Sequence, residues 1–156
     1  MEIERKFLLK EVPDNLDTYP CLFIEQGYLC RNPVIRIRHQ NDEYILTYKG
    51  KGHMVRDEYD LPLGKEGYEQ LLPKIDGRLI TKRRYLIPLK DLDNSYEDSN
   101  LTVEVDVFEG HMAGTILAEI EFDDIEDALN FVMPECFIED VTIDPAYHNS
   151  NMSLIS

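Results

Sequence analysis

Residues 2–8 read Glu2-Ile3-Glu4-Arg5-Lys6-Phe7-Leu8. On a strand, side chains two apart share a face, so Glu2, Glu4 and Lys6 stand together with Ile3 and Phe7 opposite. The same period returns down the chain. Gln26–Cys30 and Val34–Gln40 flank Asn32-Pro33, and Glu43–Lys49 and Val55–Leu61 flank Gly50-Lys51-Gly52. Leu79–Pro88, Leu101–Glu109 and Thr115–Phe122 follow, the last two separated by Gly110 and Gly114. This makes about eight strands with mostly short connections, the pattern of a meander or barrel. Two segments predict helices, Lys65–Lys74 and Asp123–Met133, the second opening on acidic residues and stopping before Pro134. A short helical turn falls within Pro13–Tyr19. The expected fold is all-β dominated, a closed eight-stranded antiparallel barrel with a few helices packed outside. Without a repeat, linker or low-complexity tract, residues 1–156 are expected to form one domain.

The polar faces are sorted by sign. Arg36 and Arg38 share one, as do Lys82 and Arg84; Glu104 and Asp106 share another, as do Glu119 and Glu121. Lys49 aligns with Thr47 and Ile45, and Arg56 with Glu58. Each strand alone is compatible with a half-buried sheet showing its charges to water. Like charges two apart repel, however, and nothing local compensates them. Closing the sheet with these faces inward does. Lys6, Arg36, Arg38, Lys49, Arg56, Lys82 and Arg84 then meet Glu2, Glu4, Glu58, Glu104, Asp106, Glu119 and Glu121, and the opposite faces pack under the helices.

Such a lumen is no greasy carrier pocket. Converging basic groups suit a polyanion, with arginine able to fork onto phosphate oxygens. Carboxylates beside them would repel that anion unless a hard cation such as Mg²⁺ or Mn²⁺ lay between. Together these are the parts of phosphoryl transfer. No G-x-x-x-x-G-K-[ST] loop is present, which excludes a P-loop mechanism.

Composition narrows the alternatives. A net charge of −15 argues against general binding to nucleic acid or to an anionic membrane. No apolar run is long enough to span a bilayer, and the first residues lack a basic-then-apolar export segment, so a cytoplasmic protein is expected. Cys21, Cys30 and Cys136 show no C-x-x-C spacing and read as reduced thiols. His39, His53, His111 and His148 are scattered, against a histidine-ligated metal.

The chain resembles the CYTH, or triphosphate tunnel metalloenzyme, family, in particular its short bacterial members. The signature is E-x-E-x-K at the start of the first strand, here Glu2 to Lys6. It is joined in family order by Arg36-Ile37-Arg38, Leu46 to Lys49, Arg56-Asp57-Glu58 and Thr81 to Tyr85. Glu104 to Gly110, Glu119-Ile120-Glu121, Val141-Thr142 and Tyr147-His148-Asn149 complete the series. Two features depart from the pattern: the chain has no Trp, and Asp140 stands where relatives often carry Glu.

The resemblance implies an eight-stranded tunnel hydrolysing inorganic triphosphate to pyrophosphate and phosphate. Glu2, Glu4 and Glu121 would hold Mg²⁺ or Mn²⁺, with Glu119 nearby. Lys6, Arg36, Arg38, Lys49, Arg56, Lys82 and Arg84 would hold phosphates. The catalytic set so implied is Glu2, Glu4, Lys6, Lys82, Glu119 and Glu121, supported by Glu58, Glu104 and Asp106. Nucleoside or thiamine triphosphatase and adenylate cyclase activity share the fold but need an organic-group pocket that few loops here could build. A non-catalytic polyphosphate- or nucleotide-binding module is the rival from another class. The expected partner is a triphosphate-containing small molecule, bound by a monomer or homodimer.

Overall fold

The computed structural model describes residues 1–155. Its strands are β1 (Glu2–Leu9), β2 (Cys21–Arg31), β3 (Val34–Gln40), β4 (Glu43–Lys49), β5 (Val55–Arg56), β6 (Glu58–Pro62), β7 (Asp76–Pro88), β8 (Thr102–Phe108), β9 (Ile116–Glu121) and β10 (Phe137–Asp140). All pairings are antiparallel, in the order β10-β1-β9-β8-β7-β2-β3-β4-β6. The circuit closes through β5, whose Arg56 and Val55 pair with Glu2 and Ile3 of β1. Only Asp57 separates β5 from β6, so the two act as one stave that leaves β4 for β1. β10 pairs with the far end of the same β1 edge, at Phe7–Leu9, so the barrel has eight stave positions, as the alternation predicts.

Among the described residues, three α-helices lie outside, α1 (Gly64–Leu71), α2 (Leu89–Leu92) and α3 (Ile125–Asn130), and α4 (Asn149–Met152) caps one end of the barrel. The expected Lys65–Lys74 helix tightens at Leu72–Lys74 into a 3₁₀ turn around Pro73, which lacks a backbone donor. The expected Asp123–Met133 helix is shorter. Asp124 caps it by accepting the Asp127 amide at 2.8 Å, and it ends at Asn130. Arg5 donates to the Ala128 and Phe131 carbonyls at 2.9 and 2.7 Å, satisfying backbone acceptors that further helix would have used. The turn expected within Pro13–Tyr19 is a 3₁₀ turn at Leu16–Thr18.

The apolar core lies between the barrel's outer face and its covering segments. Ile3 and Phe7 of β1, Val103 and Val105 of β8 and Ala118 and Ile120 of β9 pack with Ala128 and Phe137. Each large side chain so buried contributes roughly 1.5–3 kcal/mol. A second cluster joins Tyr28, Val34, Ile80, Phe108 and Leu117 to Val141 and Met152. It ties the C-terminal segment across one end of the barrel. No helix among the described residues is long and apolar enough to cross a membrane.

Candidate active site in the barrel lumen

Where a stave spends its apolar face on the outer core, as β1, β8 and β9 do, the alternate residues point inward. Of the charged residues expected in the lumen, all but Asp106 line one cavity of about 270 Å³. Asp106 lies just behind that lining, fully buried, and holds two of its cations.

Strand order divides the charges. Glu2 and Glu4 on β1, Glu119 and Glu121 on β9, and Glu104 and Asp106 on β8 lie on three consecutive staves. Across the register Glu4 faces Glu121, and Glu119 faces both Lys6 and Glu104. Lys82 and Arg84 on β7, Arg36 and Arg38 on β3 and Lys49 on β4 form the opposing basic wall.

The walls are joined at seams. Arg84 meets Asp106 through two hydrogen bonds, and also reaches Glu104 at 2.9 Å and Glu119 at 3.0 Å. Burial opposes the Arg84 charge, but Asp106, Glu104 and Glu119 hold it firmly protonated. At the other seam Lys49 lies 3.0 Å from Glu2 and 3.7 Å from Glu58. Lys6 stands within the acidic wall, 3.3 Å from Glu119.

Glu4, Glu104 and Glu119 bring carboxylate oxygens within 4.8 Å of one another. Burial, then the charge of Glu119, pushes Glu4 up to about 8. Burial acts the same way on Glu119, yet Lys6, Arg84 and Lys82 hold it well below the ordinary carboxylate range. An all-oxygen, acidic donor set of this kind fits a hard divalent cation. Glu2 is engaged by Lys49, and Glu121 lies more exposed at the rim, raised by burial and by Glu2.

The basic wall is unevenly satisfied. Lys82 donates to Asn149 Oδ1 at 2.9 Å and sits 2.8 Å from Asp106, but burial together with Arg84 and Arg38 still lowers it to about 7. Arg36, Arg38 and Arg56 form no ion pair among the described residues. Arg36 donates to Thr47 Oγ1 at 3.1 Å, while its Nε is buried with no hydrogen-bond partner. Arg38 donates to Gln26 Oε1 at 3.0 Å, and burial, then Arg36 and Arg84, lowers it to about 9.

Neutral residues complete the lumen that the charge pattern could not show. Gln26 is fully buried, accepts from Arg38 and donates to the Tyr28 hydroxyl at 2.9 Å and to Asn149 at 3.2 Å. Thr47 donates to Asp60 at 2.6 Å. The C-terminal segment caps one end: Lys6 Nζ donates to the Tyr147 carbonyl at 3.1 Å, and His148, Asn149 and Ser150 line the cavity. Gln26 could have been found from its place two before Tyr28 on a strand; nothing periodic marks Asn149.

The chain is similar to known proteins over nearly its whole length. An inorganic triphosphatase of Nitrosomonas europaea is 36% identical over 98% of this chain and 97% of its own length. One from Acetivibrio thermocellus is 34% identical over 97% of this chain and 92% of its own. The crystal structure of an inorganic triphosphatase superposes with a TM-score of 0.70 at 33% identity, covering 100% of this chain and 96% of that one. No family model matches the chain.

Proposed function

The chain belongs to the inorganic triphosphatases of the CYTH, or triphosphate tunnel, family, and we propose that its lumen hydrolyses inorganic tripolyphosphate to pyrophosphate and phosphate with Mg²⁺ or Mn²⁺. The observation that carries this reading is the pair Arg36 and Arg38. Two guanidinium groups are buried two residues apart without a carboxylate, and one buried N–H lacks any partner. Unpaired buried charge is costly, and a bound polyanion relieves it. Phosphate oxygens offer arginine forked, charge-assisted hydrogen bonds.

The acidic wall gives the second half of the site. Glu4, with Glu104 and Glu119, would hold the divalent cation, and Glu2 would join only by releasing Lys49. Glu121, facing Glu4 from the next strand, would support the same ion. When bound, such an ion neutralises phosphoryl oxygens and polarises the bond to be broken. Arg36, Arg38 and Lys82 align the chain from the opposite wall, with Lys6, Lys49, Arg56 and Arg84 extending the track. Gln26 and Thr47 fix the two arginines, so their donors are set before the substrate arrives. A pure anion binder would gain by losing these carboxylates, which favours catalysis over storage or sensing. The cytoplasm is the compartment consistent with free thiols at Cys21, Cys30 and Cys136.

The test is a phosphate-release panel of tripolyphosphate, ATP, thiamine triphosphate and pyrophosphate, each with Mg²⁺, with Mn²⁺ and with chelator. Tripolyphosphate turnover that vanishes with chelator is expected. Preference for an organic triphosphate, or binding without turnover, overturns the reading.

A further inference from the structure

Arg36 on β3, Thr47 on β4 and Asp60 on β6 stand in a row across neighbouring staves, each the register partner of the next. All line the lumen. Arg36 and Thr47 are buried, whereas Asp60 lies exposed at its edge.

Chemistry fixes the direction of the hydrogen bonds along this row. A guanidinium can only donate, so the Arg36 Nη2 contact to Thr47 Oγ1 at 3.1 Å occupies a hydroxyl lone pair. The single hydroxyl hydrogen then goes to Asp60 Oδ1 at 2.6 Å, the short length of a bond to a carboxylate. Thr47 is β-branched and fully buried, which leaves its side chain little freedom to turn elsewhere. Among the described residues, Thr47 is the only side-chain hydrogen-bond partner of Arg36 and the only one of Asp60.

Arg84 shows the contrast. It touches its carboxylates directly, and they take up its Nε, Nη1 and Nη2 donors. Arg36 meets its carboxylate at one remove. A direct carboxylate would occupy the forked edge and cancel the charge that a phosphate needs. Through a hydroxyl, Asp60 sets the direction of one donor and leaves the rest of the guanidinium free. Its own charge faces water, so it opposes an incoming anion only weakly.

We propose that Asp60 is a positioning residue for the substrate: acting through the Thr47 hydroxyl, its carboxylate aims Arg36 into the lumen without neutralising it. The role rests on the reading of the lumen as a tripolyphosphate site and adds to it a residue that touches no phosphate.

The experiment titrates metal-free tripolyphosphate calorimetrically into the full chain as parent, Asp60→Ala, Asp60→Asn, Thr47→Val and the Thr47→Val/Asp60→Ala double variant. Removing a negative charge from an anion-binding lumen would by itself tighten binding. Asp60→Ala is expected instead to weaken it about tenfold, the scale of one hydrogen bond to a charged group. Asp60→Asn keeps an oxygen acceptor and is expected to keep the parental affinity. In the Thr47→Val background Asp60→Ala should cause no further loss, because the link is already cut. Parental or tighter binding by Asp60→Ala overturns the proposal, as does equal weakening by Asp60→Asn or an equal loss in the Thr47→Val background. The Arg36 guanidinium N–H resonances of the ligand-free chain need no substrate. They are expected to be sharp in the parent and Asp60→Asn and broadened in Asp60→Ala; identical spectra overturn the positioning role. A parent that binds no tripolyphosphate, with that broadening seen, overturns the substrate reading alone.

Discussion

Arg84 and Asp106 meet through two hydrogen bonds, Nε to Oδ1 at 2.7 Å and Nη2 to Oδ2 at 2.9 Å, at the seam between the basic and acidic walls. Asp106 also lies 2.8 Å from Lys82, so one buried carboxylate compensates two lumen cations. Asp106→Ala leaves both without it. Breaking a buried pair of this kind costs about 3–5 kcal/mol. Denaturant unfolding of the variant should show that loss at an unchanged m-value. A loss below about 1 kcal/mol would mean that water, not Asp106, compensates these cations.

Glu4 predicts an opposite sign. Its folded pKa, near 8, exceeds its ordinary value of 4.5, so the native state binds the extra proton between those limits. Without metal, this group makes the protein lose stability as pH rises from about 4.5 to about 8. Glu4→Gln removes that penalty, and the metal-free melting temperature at pH 8 should rise by a few degrees, about 1–2 kcal/mol. The same variant should lose both the thermal gain from Mn²⁺ or Mg²⁺ and turnover. Retained metal stabilisation would move the cation away from Glu4.

Arg38 separates substrate binding from metal binding. Arg38→Ala should weaken tripolyphosphate by about 1.5–3 kcal/mol in calorimetric titration, with or without Mg²⁺. The parent protein should gain about 2.7 kcal/mol of stability from tripolyphosphate at 100 times its dissociation constant. Sulfate at matched ionic strength should give much less. Equal affinity in the variant and the parent would remove Arg38 from the phosphate track.

These predictions depend on features that differ in how openly the sequence shows them. Period-two alternation and the like-charge pairs Arg36/Arg38 and Glu119/Glu121 disclose the inward face, because each strand reports its own faces. Pairing between strands is not local. Glu104 meets Glu119 only through the β8–β9 register, which explains why the gathered carboxylates differ from the expected Glu2, Glu4 and Glu121 set. The break at Asp57 likewise comes from a demand of closure, since one stave must serve β4 and then β1. Asn149 sits in a segment held by tertiary contacts, with Met152 buried and Arg31 donating to the Ser150 carbonyl at 2.8 Å. No periodicity could announce it.

Asn149 is the neutral partner of Lys82, and its charge can be changed with little change of shape. Its Oδ1 accepts from Lys82 Nζ at 2.9 Å and from Gln26 Nε2 at 3.2 Å, and both bonds survive in Asn149→Asp. Lys82, brought to about 7 chiefly by burial, gives up its proton as pH rises through neutrality. Metal-free tripolyphosphate affinity in the parent should therefore fall between pH 6 and 8, as one phosphate-facing cation is lost. A carboxylate at position 149 stabilises the ammonium, so in the variant this fall should move upward by about a unit or more. Affinity at pH 6 should be lower than in the parent, because a negative charge has entered an anion-binding lumen. Calorimetric titration of tripolyphosphate from pH 5.5 to 9.5 measures both effects, and the shifted midpoint is the one that simple loss of packing cannot produce. An unmoved midpoint would show that another group governs the pH dependence.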